Sequence, residues 1–455
     1  MKLHLKKLGH IENAVIEDAD LVVIVGDNGS GKTLLLESVA LVKQAFEMNK
    51  KTIVDNVFKS VKKNSEIVTD IKKIGKELES LILNDDNQGI TFNFEIKPNA
   101  EEEINEALHK EITKLINTSK QMIKERVLLD DDSIVELELL DIPKFKEETH
   151  LCSVYSFYVT DSIFITNNLD AKKQLADIFD IINLRKFIKE DMANIVDITP
   201  GDTVYRNFLN YDKLSEKFCD SLIKIFIQEI LATYFFNTHT LFLPSERNTY
   251  IQNAIPKIVE QDNRSLGMRY SEHLFVKEYL NFTSAIKNYS ILSNIPNEYN
   301  LLFDGTPTFN EDGEVESIVQ DDKVIKKVLF STKMNRMVPY LIINNPLKNY
   351  NTLIVEEPEA HMSLKSMTDL VNFFKYLLER KSLFITTHSD VFFTKINNLL
   401  LKNPDTSVKI YELVLENRKS NLKEIIKNEY GYKIELFSNE LEELFNETIE
   451  LQNGD

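Results

Sequence analysis

The sequence has little cysteine, no tryptophan and no long apolar run. Its two cysteines, Cys152 and Cys219, are too few and too far apart for a disulfide framework, which favours a reducing compartment. No apolar stretch approaches the roughly 18 residues that a membrane-spanning helix needs, and the first residues alternate like a strand instead of forming a secretion signal. We therefore expect a cytoplasmic protein with no membrane partner.

The chain is also short of positive charge. It has 54 lysines and arginines against 72 aspartates and glutamates, a formal net charge of −18. Because generic contact with nucleic acid needs a positive surface, this balance argues against a DNA-coating protein, and it does not indicate a nucleic-acid partner. One local basic patch is the exception, although a solvated helix face explains the same residues better. Its members are Lys50, Lys51, Lys59, Lys62 and Lys63.

The length of 455 residues exceeds one ordinary domain. Strand patterns open the sequence, and from about residue 50 amphipathic helical patterns with three- and four-residue steps follow, as in Ile67, Ile71 and Ile74. We predict a head domain split between residues 1–50 and 238–455. The insertion at 51–237 is predicted to be mainly helical with short strands. Asp312 and Gly313 predict a hairpin turn within the head.

A glycine-rich loop gives the strongest functional signal. The β-branched run Leu21–Val25 precedes the loop, and Leu34–Ala40 continues it as a helix. A G-x-x-x-x-G-K-T loop between a strand and a helix binds phosphate through loop N–H groups and the helix N-terminus. Lys32 is predicted to neutralise the β- and γ-phosphates and Thr33 to ligate Mg²⁺, while a chance glycine-rich turn is the alternative. The predicted phosphate-binding residues are Gly26, Asn28, Gly29, Ser30, Gly31, Lys32 and Thr33.

Two consecutive glutamates, Glu356 and Glu357, end a second apolar strand. In phosphoryl transfer one acid is needed to hold Mg²⁺ and a second to polarise the attacking water. Because adjacent side chains on a strand point apart, we assign Glu356 to the metal and Glu357 to the water. Without the glycine-rich loop, the pair would be an ordinary acidic patch at a strand end.

A histidine, His388, follows a third apolar strand in the sequence T-T-H-S-D. An imidazole in this position can hydrogen-bond the γ-phosphate. A lone histidine is more often structural, but the order of loop, acid strand and histidine strand favours a catalytic role. The predicted catalytic residues are therefore Glu357, His388 and Lys32.

Together the three motifs resemble those of a known ATPase group. The order G-D-N-G-S-G-K-T, E-E-P-E-A-H and T-T-H-S-D is similar to that of ABC-type ATPases of the AAA15 and OLD (overcoming lysogenization defect) group, relatives of SMC and Rad50 heads. The segment Leu243–Arg247 is similar to the L-P-A-E-R segment of that group. The resemblance implies an α/β fold, a P-loop ABC-type nucleotide-binding head with a mixed sheet and flanking helices, with ATP and Mg²⁺ as cofactors.

The resemblance also implies a dimer. Such ATPases bind two ATP molecules between head-to-tail subunits, and a serine and glycine that open a helix in the partner cap each nucleotide. Ser331 matches the serine, but Thr332 and Lys333 stand where small residues are expected. Lys333 or Arg336 would then supply the missing charge, and turnover is expected to be slow. His361 is implied either at the dimer seam or at a helix start.

No D-x-D motif follows His388, so the nuclease activity of OLD proteins is not expected. The chain looks like stand-alone ATPases of bacterial anti-phage systems such as PARIS, Septu and retron operons, which are paired with a separately encoded effector. The expected function is an ATPase that acts as a sensor or scaffold in such a complex. The alternatives are a hydrolysis-poor scaffold that holds ATP, and a DNA-repair ATPase of the Rad50 or RecF kind.

Overall fold

The protein is described from a computed structural model. Cys152, Cys219, the predicted turn at Asp312 and Gly313 and the helical pattern from Ile67 lie outside the described residues. The structure describes residues 1–64, 90–95, 98–128, 134–140, 154–159, 164–166, 220, 224, 227–228, 231, 239–251, 256, 268–289, 295–310, 314–319, 323–345, 347–429 and 431–453.

The chain forms two compact units. Unit 1 comprises Met1–Asn49, Lys114–Asp141 and Phe235–Asp455, and unit 2 comprises Lys50–Thr113 and Ile142–Tyr234. The predicted insertion at 51–237 is therefore wrong in one respect, because residues 114–141 belong to unit 1. The reason is a strand at Glu136–Leu139 that pairs antiparallel with the first strand of the chain.

The strands form one large sheet in unit 1 and two small ones. Numbered along the chain, they are β1 (Lys2–Leu8), β2 (Ile11–Glu17), β3 (Leu21–Val25), β4 (Ile90–Glu95), β5 (Glu136–Leu139), β6 (Val154–Val159), β7 (Phe164–Thr166), β8 (Thr240–Leu243), β9 (Thr306–Phe309), β10 (Val315–Ile318), β11 (Val324–Lys326), β12 (Thr352–Glu356), β13 (Ser382–Thr387), β14 (Val408–Glu416) and β15 (Lys419–Glu424). The large sheet has nine strands in the order β5-β1-β2-β15-β14-β3-β13-β12-β8.

In this sheet the strands from β14 to β8 are parallel, whereas most neighbouring pairs from β5 to β14 are antiparallel. β3, β13, β12 and β8 run side by side in parallel, and β14 joins β3 in the same direction. Every residue of β3, β12 and β13 is buried, as expected for parallel strands covered on both faces. Val25 lies opposite Thr387, and Glu356 lies opposite Thr386. The carboxyl ends of the three motif strands therefore meet at one edge of the sheet.

Helices pack against this sheet and form a core cluster with it. Buried members of the cluster come from the strands and from the helices that follow them, including Leu353, Phe373 and Phe392. The helices of the described residues are α1 (Lys32–Asn64), α2 (Pro98–Ile123), α3 (Arg247–Tyr250), α4 (Tyr270–Tyr289), α5 (Asn300–Phe303), α6 (Thr332–Met337), α7 (Leu364–Leu378), α8 (Asp390–Lys402) and α9 (Glu435–Asn453). Short 3₁₀ segments lie at Asn297–Tyr299, Lys327–Leu329 and Val338–Asn344, and a π-helical segment at Lys124–Leu128.

The two small sheets are antiparallel. In unit 1, β9 and β10 flank the predicted hairpin turn and pair as expected, and β11 completes the order β11-β10-β9. In unit 2 the order is β4-β6-β7.

Lys62 in unit 2 is hydrogen-bonded to Asp220, so one member of the proposed basic patch has an acidic partner. Among the helices that the structure describes, none is long and apolar enough to cross a bilayer.

Candidate nucleotide site

The glycine-rich loop joins the buried end of β3 to the start of α1. Gly29 and Gly31 have positive φ angles of 80° and 101°, a region that favours glycine. A Cβ at Gly31 would lie 2.8 Å from His10 Nε2, and one at Gly26 would lie 2.7 Å from the carbonyl oxygen of Leu413. Nothing lies within 4 Å of a Cβ built at Gly29. The first and last glycines are thus required by close packing, and the middle one faces open space.

Lys32 folds back over this loop. Its Nζ donates to the carbonyl oxygens of Gly26 at 2.7 Å and of Asp27 at 2.9 Å. Burial lowers the pKa of the amine, and the carboxylates of Glu357, Asp27, Glu359 and Glu356 act in the opposite direction. The lysine at position 32 and the acids near position 356 therefore belong to one electrostatic cluster, although far apart in sequence.

Glu356 is buried at the end of β12, with about 1% of its surface exposed. Burial raises the pKa of its carboxyl, and the facing Thr33 hydroxyl lowers it. Oε2 accepts from the Ser245 amide at 3.3 Å, while Oε1 has no hydrogen-bond partner among the described residues. A buried carboxylate oxygen without a partner, next to a threonine hydroxyl, is a donor set that suits the hard cation Mg²⁺. These residues fit the metal that the motif implies.

Glu357, the residue after β12, lies next to His388, the residue after β13. His388 Nδ1 lies 3.3 Å from Glu357 Oε1, and both side chains are partly exposed. Glu357 has a φ of 42°, which is strained for a residue with a side chain. Its amide donates to the Thr386 carbonyl at 3.1 Å and also faces the Thr386 hydroxyl at 3.3 Å. The neighbouring strand thus holds the backbone of the strained turn that bears Glu357.

Glu359 is a further acid of the cluster to which the sequence argument gave no role. It is buried, and its Oε1 accepts a hydrogen bond from the Thr387 hydroxyl. Burial raises the pKa of the carboxyl, against the effect of that hydroxyl. Thr387 in turn accepts from the Ser389 amide at 3.0 Å. Glu359 therefore ties the turn after β12 to the turn that holds His388.

Arg247, at the end of the segment Leu243–Arg247, is fully buried and acts on the backbone. Its guanidinium donates to the carbonyl oxygens of Pro244 at 3.2 Å, Glu356 at 3.1 Å and Pro358 at 3.2 Å. It also lies over the Tyr340 ring, 5.5 Å from the centroid. Arg247 thus fastens the turn that bears both acids. The Ser245 amide donates to Glu356, and α3 has no side-chain cap.

A second charged group contacts Glu356 through the exposed Arg269, and sequence reasoning missed it. Arg269 reaches Glu356 Oε2 at 3.7 Å and Glu272 Oε1 at 2.7 Å. Glu37, on the first turns of α1, accepts a hydrogen bond from the Ser271 hydroxyl. Burial raises the pKa of Glu37, opposed by Ser271 and Arg269. A lone glutamate in the apolar run after the loop was a usable signal for Glu37, whereas no motif surrounds Arg269.

The segment that begins at Ser331, matched to the serine and glycine that cap the partner's nucleotide, makes contacts within its own chain. Ser331 caps its own helix α6, accepting from the Met334 amide. Lys333 Nζ lies 2.8 Å from both Asp304 Oδ1 and Asp369 Oδ2, and Arg336 donates to the Ser245 carbonyl at 2.6 Å. Both cations are engaged within the chain, and the prediction that one of them supplies charge to a phosphate stays a prediction.

His361 does not start a helix. It has a φ of 59° and is exposed, and the N-cap of α7 is Ser363, whose hydroxyl accepts from the Ser366 amide. The helix-start role implied for His361 is therefore wrong, because the chain first passes through a left-handed turn. The dimer-seam role stays a prediction.

Comparison with known proteins finds a family whose profile matches this chain. Residues 21–394 match the profile of a family described as "AAA domain, putative AbiEii toxin, Type IV TA system". A search of curated proteins gives no match.

Among solved structures, this chain is similar to an SMC head domain from Thermotoga maritima, with 10% identity, a TM-score of 0.35, and 93% of this chain and 98% of that chain covered. It is also similar to an Smc head domain with an extended coiled coil, bound to the C-terminal domain of ScpA, derived from Pyrococcus furiosus, with 12% identity, a TM-score of 0.30, and 97% and 98% covered.

Because those TM-scores are low, the fold assignment rests on the sheet and on the family match. The parallel strands, the glycine-rich loop before α1 and the acids after β12 form a P-loop ABC-type head. The profile matches most of the chain and includes all three motifs. The chain belongs to the AAA domain family that this profile describes.

Proposed function

We propose that the chain binds ATP with Mg²⁺ and hydrolyses it, and that it acts in the cytoplasm as the sensor or scaffold of a bacterial anti-phage complex that controls a separate effector. The observation that carries the ATPase proposal is the convergence at one sheet edge of Lys32, Thr33, Glu356, Glu357 and His388, which come from three distant parts of the sequence.

In this proposal the loop amides and Lys32 bind the β- and γ-phosphates. Lys32 must first release the carbonyl oxygens of Gly26 and Asp27, so phosphate replaces a hydrogen bond that already exists. Thr33 and Glu356 hold Mg²⁺, directly or through water. The ion, when bound, neutralises charge that develops on the phosphate oxygens.

Glu357 is the residue that orients and polarises the attacking water. It directly follows the strand end that bears Glu356, and the contacts of its amide to Thr386 hold its backbone in place. His388 contacts the same carboxylate, so the imidazole can hold Glu357 in place and hydrogen-bond the γ-phosphate with its other nitrogen. Each of the two groups therefore positions the other.

The test is the variant Glu357→Gln, which keeps the shape of the side chain and removes its basicity. ATP binding, followed with a fluorescent ATP analogue, should stay unchanged, while phosphate release should fall at least about a hundredfold, a loss of about 2.7 kcal/mol of transition-state stabilisation. The control is Glu429→Gln on an exposed turn, which should leave both quantities unchanged. Unchanged phosphate release in Glu357→Gln would remove this residue from its role.

The oligomeric and biological parts of the proposal rest on the family and on the resemblance of the motifs. The family description names a toxin–antitoxin system, and such systems pair two gene products. This supports a separately encoded partner for the present chain. We further propose a head-to-tail dimer, with Ser331 at the start of α6 facing the partner's nucleotide. Mass photometry with and without ATP and Mg²⁺ tests it, and a constant monomer mass would contradict it.

A second function is favoured by one observation. Lys333 occupies the position of a small residue and is fixed by two aspartates, which leaves the helix start less able to approach a phosphate closely. An ATP-bound scaffold with negligible turnover agrees with this arrangement. Steady-state phosphate release by the purified chain decides between the two: turnover that Glu357→Gln abolishes supports the ATPase, and tight ATP binding without release supports the scaffold.

A further inference from the structure

Helix α9 begins in the core of unit 1 and continues into solvent. Ile434, just before the helix, and Phe437 in its first turn are buried, and the Phe437 ring lies 6.0 Å from the ring of Phe393. The Leu436 amide donates to Glu412 Oε1 at 2.9 Å. From Glu442 to Ile449, in contrast, every residue is exposed. As far as its side chains are described, the helix is therefore anchored at its first turn.

The exposed part keeps an apolar stripe. Positions 434, 437, 441, 444, 448 and 451 advance by steps of three and four, which places them on one helix face, and all but Thr448 are apolar. The buried face of the first turn thus continues along the helix. Leu444 at 59% and Leu451 at 73% are exposed on this face, and Phe445 at 64% and Ile449 at 38%, one position after 444 and 448, widen the exposed apolar surface on one side.

Such a segment is not expected to be stable alone in water. Helices of about three turns are marginal without a packed apolar face, and large hydrophobic side chains grouped on an exposed surface mark an interaction site. The stripe is therefore a surface that needs a partner.

The charges on the helix indicate which partner. Glu442 and Glu447 border the two sides of the stripe by helical position, and both are exposed. From residue 434 onward the sequence contains no lysine or arginine. The glutamates of α9 are Glu435, Glu440, Glu442, Glu443, Glu447 and Glu450. A second copy of the same helix would bring like charges together, whereas a basic partner would complement them.

We propose that the exposed half of α9 is a docking helix for another polypeptide, whose surface is an apolar groove or amphipathic helix bordered by lysine or arginine. Leu444 and Phe445 insert into that surface, and Glu442 and Glu447 pair with the cations beside it. The proposal does not depend on ATP hydrolysis.

The test uses the whole chain and a synthetic probe. The probe is a fluorescent helical peptide with leucines at heptad a and d positions and lysines beside them, and its matched control carries glutamates in place of the lysines. Fluorescence anisotropy should show binding of the lysine peptide at low salt, weakening as salt rises, and at least about tenfold weaker binding of the glutamate peptide.

Variants locate the contact. The double variant Leu444→Gln with Phe445→Gln should bind the lysine peptide at least about tenfold more weakly, because two large apolar side chains are lost from the interface. Asn446→Ala, on the polar face of the same helix, should bind as the natural chain does. Both variants should keep the natural melting temperature and ATP binding, since all three positions are exposed.

Three results would overturn the proposal: no binding of the lysine peptide, equal binding of both peptides, or equal binding by the double variant. A sedimentation experiment adds a fourth. If the chain alone forms a dimer that Leu444→Gln with Phe445→Gln dissociates, the partner is a second copy and the basic polypeptide is excluded. Loss of ATP hydrolysis in Glu357→Gln would leave each of these readouts unaffected.

Discussion

The two sides of the nucleotide head differ in how their charged groups are used. One side, here called the strand edge, is where the carboxyl ends of the three motif strands meet. There Glu356 Oε1 has no partner among the described residues, and the hydrogen bonds of Lys32 go to carbonyl oxygens of its own loop. At helix α6, Lys333 lies between two aspartates and Arg336 holds the Ser245 carbonyl. The strand edge keeps polar atoms available for a ligand, while the helix uses its cations to hold the head together.

This difference shows that residue type and spacing do not decide what a charge does. A lysine after a glycine-rich loop and a lysine near a helix start look equally suited to a phosphate. Only the second has carboxylates within ion-pair distance. The acids that act on the pKa of Lys32 include Glu356, one oxygen of which has no partner among the described residues.

The largest expected effect comes from Arg247→Met, which tests whether the strand edge depends on a buried cation. The carbonyl oxygens of Glu356 and Pro358 would lose the guanidinium as donor, while that of Pro244 would keep the backbone amide of residue 247. We expect the free energy of unfolding to fall by about 3–5 kcal/mol, because each buried carbonyl left unpaired costs about 1–3 kcal/mol. Denaturant unfolding followed by circular dichroism measures it. A loss under about 1 kcal/mol would show that Arg247 does not hold the acid-bearing turn.

Lys32→Ala probes the ligand-directed charge of the strand edge. A charge-assisted hydrogen bond contributes about 1.5–3 kcal/mol, so ATP affinity should fall by about ten- to a hundredfold. Titration of the chain with a fluorescent ATP analogue measures it. Lys50→Ala, a lysine farther along α1, is the matched control and should bind ATP normally. Equal affinities for the two variants would place the phosphate elsewhere.

Lys333→Met examines the helix side. Its ion pair with Asp369 is partly buried and that with Asp304 is exposed, so their loss should cost about 1–2 kcal/mol of unfolding free energy, between the values for exposed and buried pairs. ATP affinity of the isolated chain should not change. Asp369→Asn should give a similar loss of stability. If Lys333→Met weakened ATP binding as strongly as Lys32→Ala, the contrast between the two sides would be false.

Glu37→Gln gives the smallest effect, a change in how stability depends on pH. Burial raises the pKa of the Glu37 carboxyl in the folded chain above its ordinary value of 4.5. Ionising it therefore opposes folding, and the natural chain loses stability as pH rises from 4.5 through the raised pKa. Glutamine can keep the hydrogen bond from Ser271 without the charge. Between pH 5 and pH 8 the melting temperature of Glu37→Gln should rise relative to that of the natural chain. A difference between the two melting temperatures that stays constant with pH would contradict this.

Much of the head could be predicted from the sequence. Buried parallel strands appear as continuous apolar runs, and because their ends align at one edge, the residues after Val25, Val355 and Thr387 were expected to meet. The fold class was confirmed on this basis. Side-chain partners across long separations were not predictable: Lys333 meets aspartates that lie 29 and 36 positions away. Arg269 had no motif around it, and β5 was assigned to the insertion because its pairing with β1 leaves no local pattern.

The return of the chain to the large sheet at β5 affects how this protein can be shortened. Deleting residues 51–237 in one piece would remove an edge strand and expose the backbone hydrogen-bonding groups of β1, a template for aggregation. Two separate deletions, within 50–113 and within 142–234, would leave that edge covered. A minimal ATPase head should therefore be built with two short linkers and keep residues 114–141 between them.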